Sequence, residues 1–287
     1  MGIPIHRTIN NYIEVLKPLP TLLLTFIGVG TAIVAGGGQP PLNLLLFAAI
    51  TIMIASAGAN GLTNYLDRNL DARMERTRKR ALAEGRIKPA EKVLPLVIGL
   101  TVVGLILAWF LHPLSFIADL VGTIAAVAWR KRATCVFPQG MLASCAPVVM
   151  AWFAITPAFG WEVVLLCLLV AVWLPLHVWS VMIANREDYR RAGLCFFPMS
   201  RETRESVKVL LLFALVLLFT SAALYFIGAF GWLYLVFSSL AGIMMLYATV
   251  RLVISSESQD AWKLYKLSSF PYIGIVFIAM CLDVWLL

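Results

Sequence analysis

The sequence predicts an all-α, polytopic membrane protein with nine transmembrane helices and a cytoplasmic N-terminus. Three observations carry that expectation. Of 287 residues, 61% are hydrophobic and only 13% charged, whereas a soluble domain carries about a quarter charged residues. The apolar residues fall in runs close to the roughly 20 residues that a membrane-crossing helix needs. The 23 Lys and Arg are sorted among the connections between those runs rather than scattered.

The first run, 19–36, follows Lys17-Pro18 and ends at the segment Gly36 to Pro41. The second, 42–62, leads straight into the most charged stretch of the chain. The third and fourth, 93–111 and 113–129, meet at His112-Pro113, which implies a tight helical hairpin. The fifth and sixth, 139–156 and 162–184, are joined by Thr156 to Trp161. The seventh and eighth, 207–227 and 230–250, are joined by Gly228 to Gly231, and the ninth is 267–287. These short connections hold no Lys or Arg. All 23 lie in the N-terminal segment and in the connections after runs two, four, six and eight, counting Lys208 at the very edge of run seven with the connection before it. The positive-inside rule puts those segments in the cytoplasm and the C-terminus outside. The expected location is therefore the cell (inner) membrane, multi-pass.

Residues 1–287 read as a single transmembrane domain. Its two long basic loops both run from Asn through acids to basics, in Asn64…Asp67…Asp71 and in Asn185-Arg186-Glu187-Asp188. They stand four runs apart, which hints at a duplicated four-helix unit, about 19–129 and 139–250, plus a ninth helix. The net charge of +8 makes one face basic, and membrane lipids with anionic head groups are its partners. Nucleic acid is excluded, because no soluble basic domain exists to carry it. Met1 to Lys17 lacks the pattern of a cleaved signal. The five cysteines show no C-x-x-C spacing, and Cys145, Cys167 and Cys281 in apolar runs read as buried thiols.

The chemistry concentrates in Asn64 to Arg80. Spacings of three and four place Asn64, Asp67 and Asp71 on one face of a helix. Two carboxylates and an amide suit Mg²⁺, which takes hard oxygen ligands and keeps phosphate oxygens in its shell. Arg76 and Arg80 share a face if that helix continues, and with Lys131 and Arg132 they are candidate diphosphate clamps. Glu187 and Asp188, followed by Tyr189, form a second acidic cluster. Facing the first, it would hold metal ions across one diphosphate. At a membrane boundary the combination points to an enzyme that handles a diphosphate joined to a lipid. The alternative is a solvated helix end with internal Asp–Arg pairing. His177, behind Pro175 inside the sixth run, is an ionisable group at membrane depth and hence a catalytic candidate. Its role as porphyrin contact, proton acceptor or axial ligand is open. Asp119 is the lone acid of the fourth run. Trp129, Trp152, Trp173 and Trp179 suit either core packing or a π-lined cavity.

On these residues the chain resembles the UbiA superfamily of intramembrane prenyltransferases, and within it the protoheme IX farnesyltransferase (heme O synthase) branch. The resemblance rests on Asn64-Tyr65-Leu66-Asp67-Arg68-Asn69-Leu70-Asp71, Met74-Glu75-Arg76-Thr77 and Arg80. It continues through Lys131-Arg132, Trp173, Pro175, His177, Trp179, Asp188-Tyr189, Ala192-Gly193 and Pro198, and covers nearly the whole chain. It implies nine helices around a central cavity. It implies Mg²⁺ at Asn64, Asp67, Asp71 and Asp188, and diphosphate held by Arg76, Arg80, Lys131 and Arg132. The implied donor is farnesyl diphosphate and the implied acceptor heme b. Contact with heme-supplying or oxidase-assembly proteins is implied as well. Heme-branch members usually carry a Tyr where this chain has Ala126, a Pro-Pro segment here reduced to Gly140…Ala146-Pro147, and Asp where Glu187 stands. A quinone precursor or other aromatic acceptor is the alternative within the same chemistry. A transporter is the alternative of another class, and it requires charges near the membrane midplane.

Overall fold

A computed structural model describes residues 5–128, 136–228 and 230–286. Among these residues the regular structure is all helical, without strands. The helices are α1 (Ile5–Val15), α2 (Pro18–Ala35), α3 (Leu42–Asp71), α4 (Leu94–Leu111), α5 (Pro113–Val127) and α6 (Gln139–Ile155). They continue as α7 (Trp161–Ala184), α8 (Arg186–Arg191), α9 (Thr203–Ile227), α10 (Trp232–Ser255), α11 (Ser258–Ser268) and α12 (Phe270–Leu286). A 3₁₀ turn, Ala90–Val93, precedes α4. Seven stretches are long and apolar enough to cross a membrane, and α5 and α6 are shorter apolar helices. They stand where the nine apolar runs are. Helices prevail because lipid offers no partner for a backbone N–H or C=O, so each segment must satisfy its own.

Some boundaries differ from the sequence-based expectation, and two of the differences bear on the site. The second run does not stop at Leu62 but continues as one helix of 30 residues to Asp71, which carries Asn64, Asp67 and Asp71 on its last two turns. The helix then ends, so Arg76 and Arg80 do not share a helical face. The cause is local. The Thr77 hydroxyl donates to the Asp71 carbonyl at 3.0 Å, and Met74 N–H donates to the same oxygen at 3.3 Å. These bonds satisfy a carbonyl that the next helical turn would otherwise use. The ninth run is preceded by the separate helix α11, and Ser269 breaks the path between α11 and α12.

The spanning helices pack as neighbours: α2 on α3, α6 and α12; α7 on α6, α9 and α11; α10 on α9 and α12. The α3–α4 contact is backbone to backbone. A Cβ on Gly58 would sit 2.6 Å from Thr101 N, and one on Gly104 2.7 Å from Ala55 Cα. Small residues permit this approach, and in lipid close packing replaces the hydrophobic force that water supplies. The outward faces carry exposed Leu, Ile, Val and Phe along α2, α4, α9 and α10.

The two ends of the bundle differ in chemistry. One end gathers the loop after α3, the α7–α8 junction, the start of α9 and the α10–α11 junction around a single groove, and it holds the basic residues. Helix α1 docks there. Glu14 accepts the Ala81 N–H at 3.0 Å and pairs with Arg86 at 2.6 Å, over an apolar cluster of Val15, Leu82, Ile87, Val93 and Val97. The other end carries exposed Trp109, Trp161, Trp232 and Trp285 at helix termini, the ring expected where amphipathic aromatics meet an interface. At that end Asp283, buried on α12, accepts the backbone N–H of Gly231 and that of Tyr234 at 3.2 Å. It thereby caps α10 from another helix.

That cap has a measurable consequence. Asp283→Ala leaves two N–H groups without an acceptor and lowers the thermal midpoint in detergent by the equivalent of about 1–3 kcal/mol. Asp283→Asn, which keeps one acceptor oxygen, loses less.

Candidate active site

The last two turns of α3 present Asn64, Asp67 and Asp71, which are 2%, 5% and 1% exposed. Burial of two carboxylates and an amide in one strip is costly without compensation, and the surroundings show how it is met. Asn64 donates its Nδ2 to the Val15 carbonyl at 3.0 Å. Its Oδ1 is buried and has no hydrogen-bond partner. Asp71 Oδ2 accepts Arg80 Nη1 at 2.7 Å. The chain therefore doubles back after Thr77 and returns a cation to the acid that ends the helix.

The second acidic segment meets this loop by a different route. Asp188, on α8, accepts the backbone N–H of Glu75 at 2.8 Å on Oδ1 and that of Arg76 at 3.2 Å on Oδ2. Arg191 stands 3.9 Å from the same carboxylate. The neighbouring Tyr189 hydroxyl accepts Arg76 Nη2 at 3.0 Å, and the guanidinium also lies over the tyrosine ring. Arg186 holds the following loop by donating to the carbonyls of Pro198, Met199 and Arg201. Burial, then the neighbouring Arg190, lowers the Arg186 guanidinium below its ordinary range. The groove at this end has a volume of about 640 Å³ and is lined by Glu75, Arg76, Asn185, Glu187 and Asp188 among others. Asp67 and Asp71 do not line it.

The expected facing of two acidic clusters across one metal site is thus not what the described residues show. Among them, no three His, Cys, Asp or Glu side chains converge as around a metal ion. Asp188, expected as a ligand beside Asp67 and Asp71, accepts a backbone N–H on each of its oxygens. It joins the two motifs by holding the intervening loop. The α3 strip itself fits a hard cation. It offers two carboxylates beside an amide oxygen, Asn64 Oδ1, that is buried without a partner, the donor chemistry of Mg²⁺. Lys131, Arg132 and Trp129 lie outside the described residues.

His177 stands apart from both clusters, on α7. Its ring stacks between Trp173, at 5.1 Å and 16°, and Tyr265, at 4.7 Å and 27°. Its Nδ1 lies 3.3 Å from Ser268 Oγ. Trp173 Nε1 donates to the Ser268 carbonyl. The α11 side of this arrangement is absent from the sequence-based candidates. Residues 258–268 mix charge with aromatics, and only the amphipathic spacing of Ala261, Leu264 and Ser268 marks the face that α11 buries. Lys17 is a second omission. It holds a left-handed backbone, φ 50°, and donates Nζ to Thr63 Oγ1 at 3.1 Å, beside the α3 strip. Asp119 is buried on α5, with Thr123 Oγ1 at 3.4 Å from one oxygen and no partner for the other. Trp152, Trp173 and Trp179 are buried, and Trp179 packs edge-on against Phe197.

Residues 21–270 match the model of the UbiA prenyltransferase family. The chain belongs to that family. It is 34% identical over 285 residues to the protoheme IX farnesyltransferase of Desulforudis audaxviator, covering 97% of this chain and 90% of that protein. Its fold is similar to a solved digeranylgeranylglyceryl phosphate synthase, with a TM-score of 0.79, 16% identity and coverage of 98% and 100%. A UbiA homologue from Archaeoglobus fulgidus, solved with GPP and Mg²⁺, superposes with a TM-score of 0.65 at 15% identity, over 96% of this chain and all of that one. The protein is a multi-pass intramembrane prenyltransferase.

The geometry makes Asp188 the fastening of the loop between α3 and α4. Asp188→Ala releases two backbone N–H groups, and trypsin then cleaves at Arg76 to Arg80 at least several-fold faster in detergent, whereas Asp188→Asn is intermediate. Equal cleavage of all three proteins would show that the bonds do not hold the loop.

Proposed function

We propose that the protein transfers the farnesyl group of farnesyl diphosphate to a vinyl group of heme b, and that the transfer depends on Mg²⁺. The observation that carries this reading is the buried strip of Asn64, Asp67 and Asp71 with Arg80 returned onto it. The 34% identity to a protoheme IX farnesyltransferase over 97% of this chain supports the acceptor. The solved homologue with GPP and Mg²⁺ supports the donor class and the metal.

Asn64 Oδ1 and the carboxylates of Asp67 and Asp71 would hold Mg²⁺, which supplies positive charge against the diphosphate as it leaves. Arg80 and Arg76, with Lys131 and Arg132 from the α5–α6 connection, grip the phosphate oxygens. Charge on the leaving group grows as the allylic C–O bond breaks, so fixed cations bind that state more tightly than the ground state. Asp188 keeps Arg76 on station through the backbone, and Tyr189 orients its guanidinium. The vinyl group donates its electron pair to the farnesyl C1 and forms the new C–C bond. Water then adds at the other vinyl carbon and loses a proton, leaving a hydroxyethylfarnesyl side chain and pyrophosphate. His177 belongs to the acceptor side. The apolar helices exclude stray water from the allylic cation. The basic end of the bundle faces the cytoplasm of the cell membrane, and the Trp-bearing end faces outward.

Purified protein given farnesyl diphosphate, Mg²⁺ and heme b is expected to add farnesyl and water to the heme, read by mass spectrometry. Asp67→Asn and Asp71→Asn each lower the rate by about a hundredfold or more. A chelator abolishes turnover and Mg²⁺ restores it. Unchanged heme, under conditions where a quinone precursor or other aromatic acceptor is prenylated, would overturn the acceptor.

A further inference from the structure

The environment of Ser268 points to a role for a residue outside the acidic motifs. We infer that Ser268 is a positioning residue for the acceptor. It holds His177 in the tautomer with the proton on Nδ1, which presents a bare Nε2 to the iron of the bound porphyrin. The inference rests on the heme reading above and adds the means by which the acceptor is held.

The argument is a count of protons. Ser268 is fully buried where α11 ends against α7. Its hydroxyl has one hydrogen and two polar neighbours. The Tyr265 carbonyl lies at 2.9 Å and His177 Nδ1 at 3.3 Å. A carbonyl only accepts, so the shorter contact takes the hydroxyl proton. The Ser268 oxygen is then left with lone pairs facing Nδ1, and the contact to the ring is satisfied only if Nδ1 carries a hydrogen. In a neutral imidazole the other nitrogen, Nε2, is then bare.

The surroundings keep that edge available. Trp173 covers one face of the ring and Tyr265 the other. Trp173 is itself tied to Ser268 through the backbone carbonyl, so one residue sets both the proton and the stacking partner. His177 keeps accessible surface, and Nε2 is not among the buried polar atoms left without a partner. No protein group hydrogen-bonds to Nε2 among the described residues. With both faces covered, a ligand can reach the imidazole only edge-on, along the lone pair. That is the direction of metal coordination. Histidines that bind metals are ordinarily oriented by a hydrogen bond from their other nitrogen, and Ser268 supplies it here.

The test is a titration of ferric heme b into the intact protein in lipid nanodiscs, followed by Soret absorption and electron paramagnetic resonance. The wild type is expected to give an imidazole-ligated spectrum that His177→Ala loses. Ser268→Ala binds heme about tenfold more weakly with a perturbed ligand-field signature, and Ser268→Thr, which keeps the hydroxyl, restores both. Nitrogen NMR of labelled histidine in the unaltered protein reads the tautomer directly, without relying on the folding of any variant. A proton on Nε2 in that measurement overturns the inference. So does a heme spectrum indifferent to His177→Ala, which leaves heme as the acceptor intact. A wild type that binds no heme, yet prenylates an aromatic acceptor, removes the heme reading and this inference with it.

Discussion

The carboxylate of Asp188 holds two backbone N–H groups from a loop 113 residues earlier in the chain. Much of the active end depends on that junction. Loops at a membrane surface lack the dense packing of the bundle, and although Met74, Leu82 and Ile87 of this loop are buried, the stretch Glu75 to Arg80 is almost entirely charged. A charged acceptor near the lipid boundary is a strong fastening, because an ionised acceptor makes a shorter and stronger hydrogen bond than a neutral one. The junction locates Arg76 from its main chain and leaves the guanidinium to be aimed by Tyr189. It also leaves Arg80 free to return to Asp71, so one loop serves both ends of the acidic strip.

The same economy of polar groups governs the rest of the molecule. In a bundle surrounded by lipid, hydroxyls of Thr25, Thr31, Thr220 and Thr249 turn back to carbonyls four residues earlier. Asp283 caps a neighbouring helix. Against that background the few unpaired polar atoms stand out. Among the described residues these are Asn64 Oδ1 on the α3 strip, Asp119 Oδ2 and Trp179 Nε1. A buried acceptor without a donor is unfavourable in the free protein and becomes favourable when a cation or metal arrives.

Much of this was legible in the chain before folding. The apolar runs marked the spanning helices, because the bilayer thickness imposes a length. The absence of Lys and Arg from alternate connections marked the two ends. The spacing of Asn64, Asp67 and Asp71 marked one buried face, since a helical period of 3.6 residues admits no other arrangement. The end of that helix at Asp71, short of Arg76 and Arg80, was not legible. Its end depends on a Thr77 hydroxyl that finds the Asp71 carbonyl only once the chain has turned. The part played by Asp188 was not legible either, since a carboxylate in a sequence looks the same whether it meets a metal or a backbone N–H.

The sequence by itself determined the all-helical class, the membrane habit and the acidic strip, because each follows from local composition or local spacing acting through water, lipid and helical geometry. Tertiary structure alone decided the partners. It brought Glu75 and Arg76 to Asp188, Arg80 back to Asp71, and Ser268 to His177. These contacts join positions from nine to more than a hundred residues apart. Directional hydrogen bonds across such gaps depend on where whole helices pack, and no periodicity along the chain encodes that.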